Sequence, residues 1–167
     1  MKNIYLYGFM GCGKSTIGKQ LAKKLSRRFI DLDEYIVKTE GKSIPAIFAE
    51  SGEGYFRELE SQTIEELSAQ KNIVIATGGG AMVSLKNIKA AKIGGSLIYL
   101  SVPFEVCYDR IKNSGNRPNA NKEKSKVEEL YNSRAPIYNQ HADLVIDADC
   151  SPLICVTRIM GRMAIDS

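Results

Sequence analysis

The sequence predicts an α/β fold, a parallel five-stranded sheet sandwiched by helices. Three observations carry this reading. Five short apolar runs alternate with segments of helical periodicity, a glycine-rich loop separates the first run from the first helix, and 167 residues suit one domain. Residues 1–167 show neither an internal repeat nor a linker, so a single domain is expected throughout.

The first strand is residues 4–7, stopped by Gly8, and the helix that follows over residues 16–25 places Ile17, Leu21 and Leu25 four residues apart. Phe29 and Ile30 form a second strand ending at Asp31. Helical patterns then cover residues 34–39 and, with Ser43 as N-cap, residues 44–50. Ser51-Gly52-Glu53-Gly54 breaks the pattern before a helix over residues 55–70 with Leu59, Thr63, Ile64 and Leu67 on one face. Residues 73–76 are a fully apolar run of the kind buried on both faces, ending in Gly78-Gly79-Gly80. Ser84 caps a helix to Lys92, residues 96–100 are the fourth strand, and Pro103 opens a helix through Ile111. Residues 112–125 lose the apolar pattern among Asn, Lys, Gly and Pro and read as an exposed mobile loop. A helix over residues 126–140, a strand over 143–146 and a terminal helix from Ser151 complete the chain.

With 44% apolar and 25% charged residues the composition is that of a globular protein, which excludes disordered, collagen-like and heptad-dominated chains. The net charge of +4 suits small anionic ligands and is too mild to imply nucleic acid. No stretch approaches about 18 apolar residues, and the N-terminus has too short an apolar run for a signal peptide, so a cytoplasmic protein without a membrane partner is expected. Cys12, Cys107, Cys150 and Cys155 have no CxxC spacing, and His141 is the single histidine, so reduced thiols are expected rather than a zinc site.

Gly8-Phe9-Met10-Gly11-Cys12-Gly13-Lys14-Ser15 satisfies GxxxxGK[ST] between a strand and a helix, the context in which that pattern is a phosphate-binding loop. The glycines let backbone amides turn toward phosphate oxygens, Lys14 adds a point charge, and the Ser15 hydroxyl can ligate magnesium. Asp31-Leu32-Asp33 follows the second strand. If extended, it directs both carboxylates to one side, at the edge where the glycine loop emerges; the competing reading is a helix N-cap with solvent-facing acids. A phosphate loop needs a carboxylate to support magnesium, and residues 73–80 supply none, which favours Asp31. Arg57, Arg110, Arg117 and Arg134 each read, taken alone, as solvated surface charges. Cys12 reads as a small filler and His141 as a surface or capping residue.

Taken together, the glycine loop, Asp31-Leu32-Asp33, Phe56-Arg57-Glu58-Leu59-Glu60, Gly78-Gly79-Gly80, Arg117-Pro118 and Arg134-Ala135-Pro136-Ile137-Tyr138 resemble the shikimate kinase family in order and spacing, over nearly the whole chain. The resemblance implies a P-loop NTPase fold like that of nucleoside monophosphate kinases, with a lid at about 112–125 and a substrate-binding helical segment at about 33–61. It implies transfer of the ATP γ-phosphate to the 3-hydroxyl of shikimate, with Mg2+, by a monomer. By the same match Gly11, Cys12, Gly13, Lys14, Ser15 and Thr16 hold the ATP phosphates, Ser15 binds magnesium, and Asp31 bonds a magnesium-bound water. Asp33 binds the shikimate hydroxyls and orients or deprotonates the attacking one. Arg57 and Arg134 grip the shikimate carboxylate, Glu60 holds Arg57, and Gly79 approaches the ring hydroxyls. Arg110 packs on adenine, and Arg117 reaches the transferring phosphate from the lid. One departure is that Asn119-Ala120 follows Arg117-Pro118 where the family usually has leucines. The rival acceptors are gluconate and nucleoside monophosphates; a GTPase would need an NKxD segment, which Asn121-Lys122-Glu123-Lys124 does not complete.

Overall fold

The computed structural model describes residues 1–114 and 124–165. Five strands, β1 (Asn3–Tyr7), β2 (Arg28–Asp31), β3 (Ile73–Ala76), β4 (Gly95–Ser101) and β5 (Leu144–Asp147), form one sheet in the order β2-β3-β1-β4-β5. Every pairing is parallel. The intervening helices are α1 (Lys14–Lys24), α2 (Leu32–Glu40), α3 (Ile44–Ser68), α4 (Leu85–Gly94), α5 (Phe104–Asn113), α6 (Lys124–His141) and α7 (Pro152–Ile165), with a 3-10 turn at Ala81–Val83.

Side chains on a strand alternate between faces, so central β1, buried at all five positions, feeds two cores. Ile4 and Leu6 join Ile17 and Leu21 of α1 and Val156 and Ile159 of α7 on one side. Tyr5 and Tyr7 join Ile36 of α2, Ile64 and Leu67 of α3, and Tyr138 of α6 on the other. Because the strand order reverses at β1, the crevice at the carboxyl ends of β1 and β3 opens at the switch point where parallel α/β sheets bind ligands.

Two sequence expectations change. Residues 31–33 are not extended: β2 stops at Asp31, whose carboxylate accepts from the Asp33 and Glu34 amides and so starts α2 at Leu32. The N-cap reading therefore holds for Asp31, but Asp31 and Asp33 still line one cavity rather than facing solvent. The break expected at residues 51–54 is present, since α3 consists of two helical segments meeting at a kink at Gly52, where φ is 82° and ψ is 168°. Of the segment 112–125, expected to be a loop throughout, Lys112 and Asn113 belong to α5 and Lys124 and Ser125 to α6. Arg117-Pro118, Asn119-Ala120 and the rest of 115–123 lie outside the described residues.

One buried side chain ties the floor of the sheet together. Asn3, fully buried, donates from Nδ2 to the Leu67 and Gln70 carbonyls at 2.9 and 3.0 Å and accepts from the Ile73 amide at 3.0 Å. It thus satisfies the end of α3 and the start of β3 from β1. Replacing Asn3 by Leu removes three hydrogen bonds, although the Leu67 carbonyl still accepts from the Gln70 amide, and is expected to lower unfolding free energy by about 2–4 kcal/mol. Urea denaturation measures this, and turnover per folded molecule should stay near the parent value because Asn3 lies at the opposite end of the sheet from the crevice.

Candidate active site

The glycine loop leaves β1 at the crevice and ends in α1. Gly11 and Gly13 have φ of 77° and 93°, left-handed conformations that cost a side chain about 1 kcal/mol or more. Gly13 is the N-cap of α1 and gives no side-chain cap, so the helix opens on free amides and a positive dipole end, which favour an anion. Lys14 Nζ donates to the Gly8 and Phe9 carbonyls, both at 2.9 Å, and lies 3.6 Å from Cys12 Sγ. Cys12 itself is 1% exposed and packs into the α1 core. Ser15 Oγ donates to Asp31 Oδ2 at 2.5 Å, while Asp31 Oδ1 accepts from the Asp33 and Glu34 amides at 3.1 and 3.2 Å. One carboxylate thereby joins the glycine loop to α2.

After β3 come Gly78, Gly79 and Gly80, none of them at positive φ. What these positions require is the absence of a Cβ. A Cβ on Gly78 would lie 2.9 Å from Asp33 Oδ1 and 3.2 Å from Glu60 Oε2, one on Gly79 would lie 3.3 Å from Arg134 Nη1, and one on Gly80 would lie 2.5 Å from Arg57 Nη1. Four functional side chains from α2, α3 and α6 therefore close over a backbone that has none. Arg57 donates to Glu60 Oε1 at 2.9 Å and to Glu53 Oε1 at 3.3 Å. Burial of Glu60 raises its pKa, with the Arg57 guanidinium opposing the rise, and Oε2 of this 1%-exposed carboxylate has no hydrogen-bond partner among the described residues. On Arg57, burial pulls the pKa down and Glu60 and Glu53 outweigh it, so the guanidinium stays charged.

These residues line one cavity of about 640 Å³, shared by Lys14, Ser15, Asp31, Asp33, Arg57, Glu60, Gly79 and Arg134. Its other wall is apolar: Met10, Ile44, Pro45, Phe48, Phe56 and Leu130. Sequence reasoning missed this wall. In a regular helix Phe48 and Phe56 would be separated by about 12 Å of rise. The interruption at Gly52 lets their rings meet at 5.1 Å, and Gly52 was the available signal. A second cavity of about 300 Å³ lies across the loop, lined by Gly11, Cys12, Gly13, Thr16 and Arg110 together with Ala148, Cys150 and Pro152 between β5 and α7. Arg110 Nη1 donates to the Gly11 carbonyl at 3.0 Å. Nothing in the sequence around residues 148–152 signalled this contribution. Arg117 lies outside the described residues, and among the described residues no group of three or more His, Cys, Asp or Glu could hold a metal.

Tyr138 was part of a recognised motif without a role, and the structure supplies one. Its hydroxyl donates to the Gly79 carbonyl, and its own carbonyl accepts from Tyr7 Oη at 2.7 Å. Burial, first among the causes, pushes the phenol up to about 12, so it remains a donor.

A phosphate loop at the switch point, with one cavity on each side of it and arginines gathered in the larger, defines a P-loop small-molecule kinase. A sequence model described as shikimate kinase matches residues 10–164. The shikimate kinase of Persephonella marina is 46% identical over 164 residues, covering 98% of this chain and 99% of that one. The solved shikimate kinase from Acinetobacter baumannii in complex with shikimate superposes with a TM-score of 0.92 at 34% identity, covering 100% of this chain and 95% of the other. The chain belongs to the shikimate kinase family. A gluconokinase from Sinorhizobium meliloti, at 14% identity and a TM-score of 0.57 with 99% of this chain and 97% of that one covered, shares the fold alone.

Removing the Tyr138 hydroxyl in Tyr138→Phe is expected to cost about 1 kcal/mol of stability. It should also release the Gly79 carbonyl, so activity at subsaturating acceptor should fall severalfold per folded molecule while saturated turnover falls less. Urea denaturation and steady-state kinetics separate the two effects.

Proposed function

We propose that the shikimate kinase reaction, transfer of the ATP γ-phosphoryl to the 3-hydroxyl of shikimate with release of ADP, runs in this chain with donor and acceptor divided between the two cavities. The observation that carries this is the convergence of Arg57, Arg134 and Asp33 on the cavity that also contains Lys14 and Ser15. Two arginines suit a planar carboxylate, and a carboxylate suits polyol hydroxyls, which is the chemistry of shikimate and not of a second phosphate and base.

In the donor half, the base of ATP occupies the smaller cavity against Arg110, and the phosphates cross residues 11–16 onto the amides of α1. Lys14 exchanges its two loop carbonyls for β and γ oxygens, replacing neutral acceptors with charged ones. The Ser15 hydroxyl and Asp31 carboxylate are hard oxygen donors that fit Mg2+, an ion that takes few protein ligands and completes its shell with water and phosphate. Ser15 would hold it directly and Asp31 through water, and when bound it neutralises charge on the phosphate oxygens.

In the acceptor half, Arg57 and Arg134 hold the carboxylate, Glu60 fixes Arg57, and the backbone at Gly79 leaves room for the ring. Asp33 orients the 3-hydroxyl and accepts its proton as the new O–P bond forms and the bond to the ADP oxygen breaks. Arg117 meets the transferring group from the lid. Positioning and charge are what phosphoryl transfer asks of a protein, and each of these residues supplies one of them. The enzyme acts as a monomer in the cytoplasm with no nucleic-acid or membrane partner, and its mild net charge of +4 supports the first of these absences. No described helix is long and apolar enough to cross a membrane.

ADP release measured across shikimate, gluconate and nucleoside monophosphates tests the acceptor, and a preference for anything other than shikimate overturns the reading. Asp33→Asn should reduce kcat by at least about 100-fold, the scale of general-base catalysis, with thermal stability little changed. Arg57→Ala and Arg134→Ala should each raise the shikimate Kd by about 2–5 kcal/mol where the remaining charge stays desolvated. An amide analogue of shikimate should bind the parent weakly and lose little more in either variant. Equal losses for acid and amide would show that the arginines do not read the carboxylate.

A further inference from the structure

Two of the four cysteines face each other beside the smaller cavity. Cys150, partly exposed, lines it, and Cys155, fully buried one helical turn into α7, lies behind it with the two Sγ atoms 2.9 Å apart. Closing to a bond of about 2.05 Å needs a shift of less than about 1 Å. The Cys155 sulfur also lies 3.7 Å from the Ala148 carbonyl oxygen and 3.8 Å from that of Cys150, so it is packed against the backbone that forms the cavity wall. On the open side, Arg158 Nη1 is 3.6 Å from Cys150 Sγ and is itself anchored on the Asp147 carbonyl at 2.6 Å and the Asp147 carboxylate at 3.5 Å. A positive charge thus stands beside the accessible sulfur, where it can accompany charge that develops during attack.

We propose that Cys150 and Cys155 are an oxidisable thiol pair in the wall of the nucleotide-base cavity, closed to a disulfide by peroxide and opposed in that closure by bound nucleotide. This rests on assigning the smaller cavity to the base of ATP. Cys150 attacks one peroxide oxygen, the O–O bond breaks, and water leaves with a sulfenic acid on Cys150. The Cys155 sulfur then attacks the Cys150 sulfur, the S–O bond breaks, and a second water carries away the hydroxyl with the Cys155 proton. In sum, two thiols lose two electrons and one peroxide becomes two waters. The division of roles follows the surroundings: burial, then the contact with Cys150, pushes the Cys155 thiol up to about 12, which suits the resolving partner rather than the first nucleophile. Cys107 is fully buried, and Cys12, although it lines the same cavity, is only 1% exposed, so both serve as internal controls.

The bond draws Cys150 inward and ends the thiol contacts that Cys155 makes with the carbonyls of residues 148 and 150, so the cavity wall must change shape. Linkage then requires that whatever oxidation does to nucleotide affinity, nucleotide does to oxidation.

The full-length chain, reduced and then treated with hydrogen peroxide with and without ADP, tests this. Mass spectrometry should show loss of two hydrogens on the peptide carrying both cysteines, with Cys12 and Cys107 still alkylatable after unfolding and the change reversed by dithiothreitol. ADP should slow the loss, and calorimetry should show ADP binding at least roughly fivefold weaker to the oxidised form. Cys155→Ser should stop at an oxidised Cys150 without the two-hydrogen loss. The inference fails if Cys155 remains alkylatable after Cys150 is consumed, or if oxidised and reduced protein bind ADP equally. A reduced protein that binds ADP without phosphorylating shikimate would defeat the acceptor reading and leave this inference standing. One that phosphorylates shikimate, with ADP affinity indifferent to oxidation, would defeat the inference alone.

Discussion

Asp31 is the point through which the two halves of the site are held in register. Its carboxylate accepts from the Ser15 hydroxyl with one oxygen and from the Asp33 and Glu34 amides with the other. The first contact fixes the glycine loop, and the other two fix the start of α2, on which Asp33 is carried. A carboxylate at a helix N-terminus is favoured by the dipole and by free amides, so the capping role and the site role reinforce each other rather than compete. The phosphate loop and the start of α2 are thereby referenced to a single side chain, and phosphoryl transfer depends on geometry of this kind more than on any group's reactivity.

The second constraint is the glycine turn after β3. At Gly78 and Gly80 a Cβ would displace Asp33 and Arg57, and at Gly79 it would crowd Arg134. The turn is held from behind by Tyr138, whose position is fixed in turn by Tyr7 of the central strand and by ring contacts with Tyr7 and Tyr99. Arg57 has a different support. Glu60 is buried with one oxygen unpartnered among the described residues, a desolvation cost that the guanidinium at 2.9 Å offsets. The hydrogen bonds to Glu60 and Glu53 hold the guanidinium in one orientation at the cavity wall, the geometry that a bidentate grip on a carboxylate would need.

The glycine loop also acts as a partition. Gly11 lines both cavities, and the loop's left-handed glycines let its backbone present amides where phosphates would cross from one to the other. The smaller cavity closes against Ala148, Cys150 and Pro152, residues that belong to no motif of the phosphate loop.

Alternation of apolar runs with helical periods determined the fold class, and the strand boundaries fell within a residue or two, because a run buried on both faces is continuous in sequence. The glycine loop was legible for the same reason: its residues are consecutive, and their chemistry is local. The residues at 31–33 were not, since an aspartate at the end of a strand is compatible with extension or capping, and only the amides of residues 33 and 34 decided between them. The strand order, the apolar wall at Ile44, Phe48 and Leu130, the tyrosine behind Gly79 and the cavity at Ala148 and Cys150 were decided by tertiary structure alone. Each joins residues far apart in the chain through packing, and packing distance leaves no period in the sequence by which it could be read.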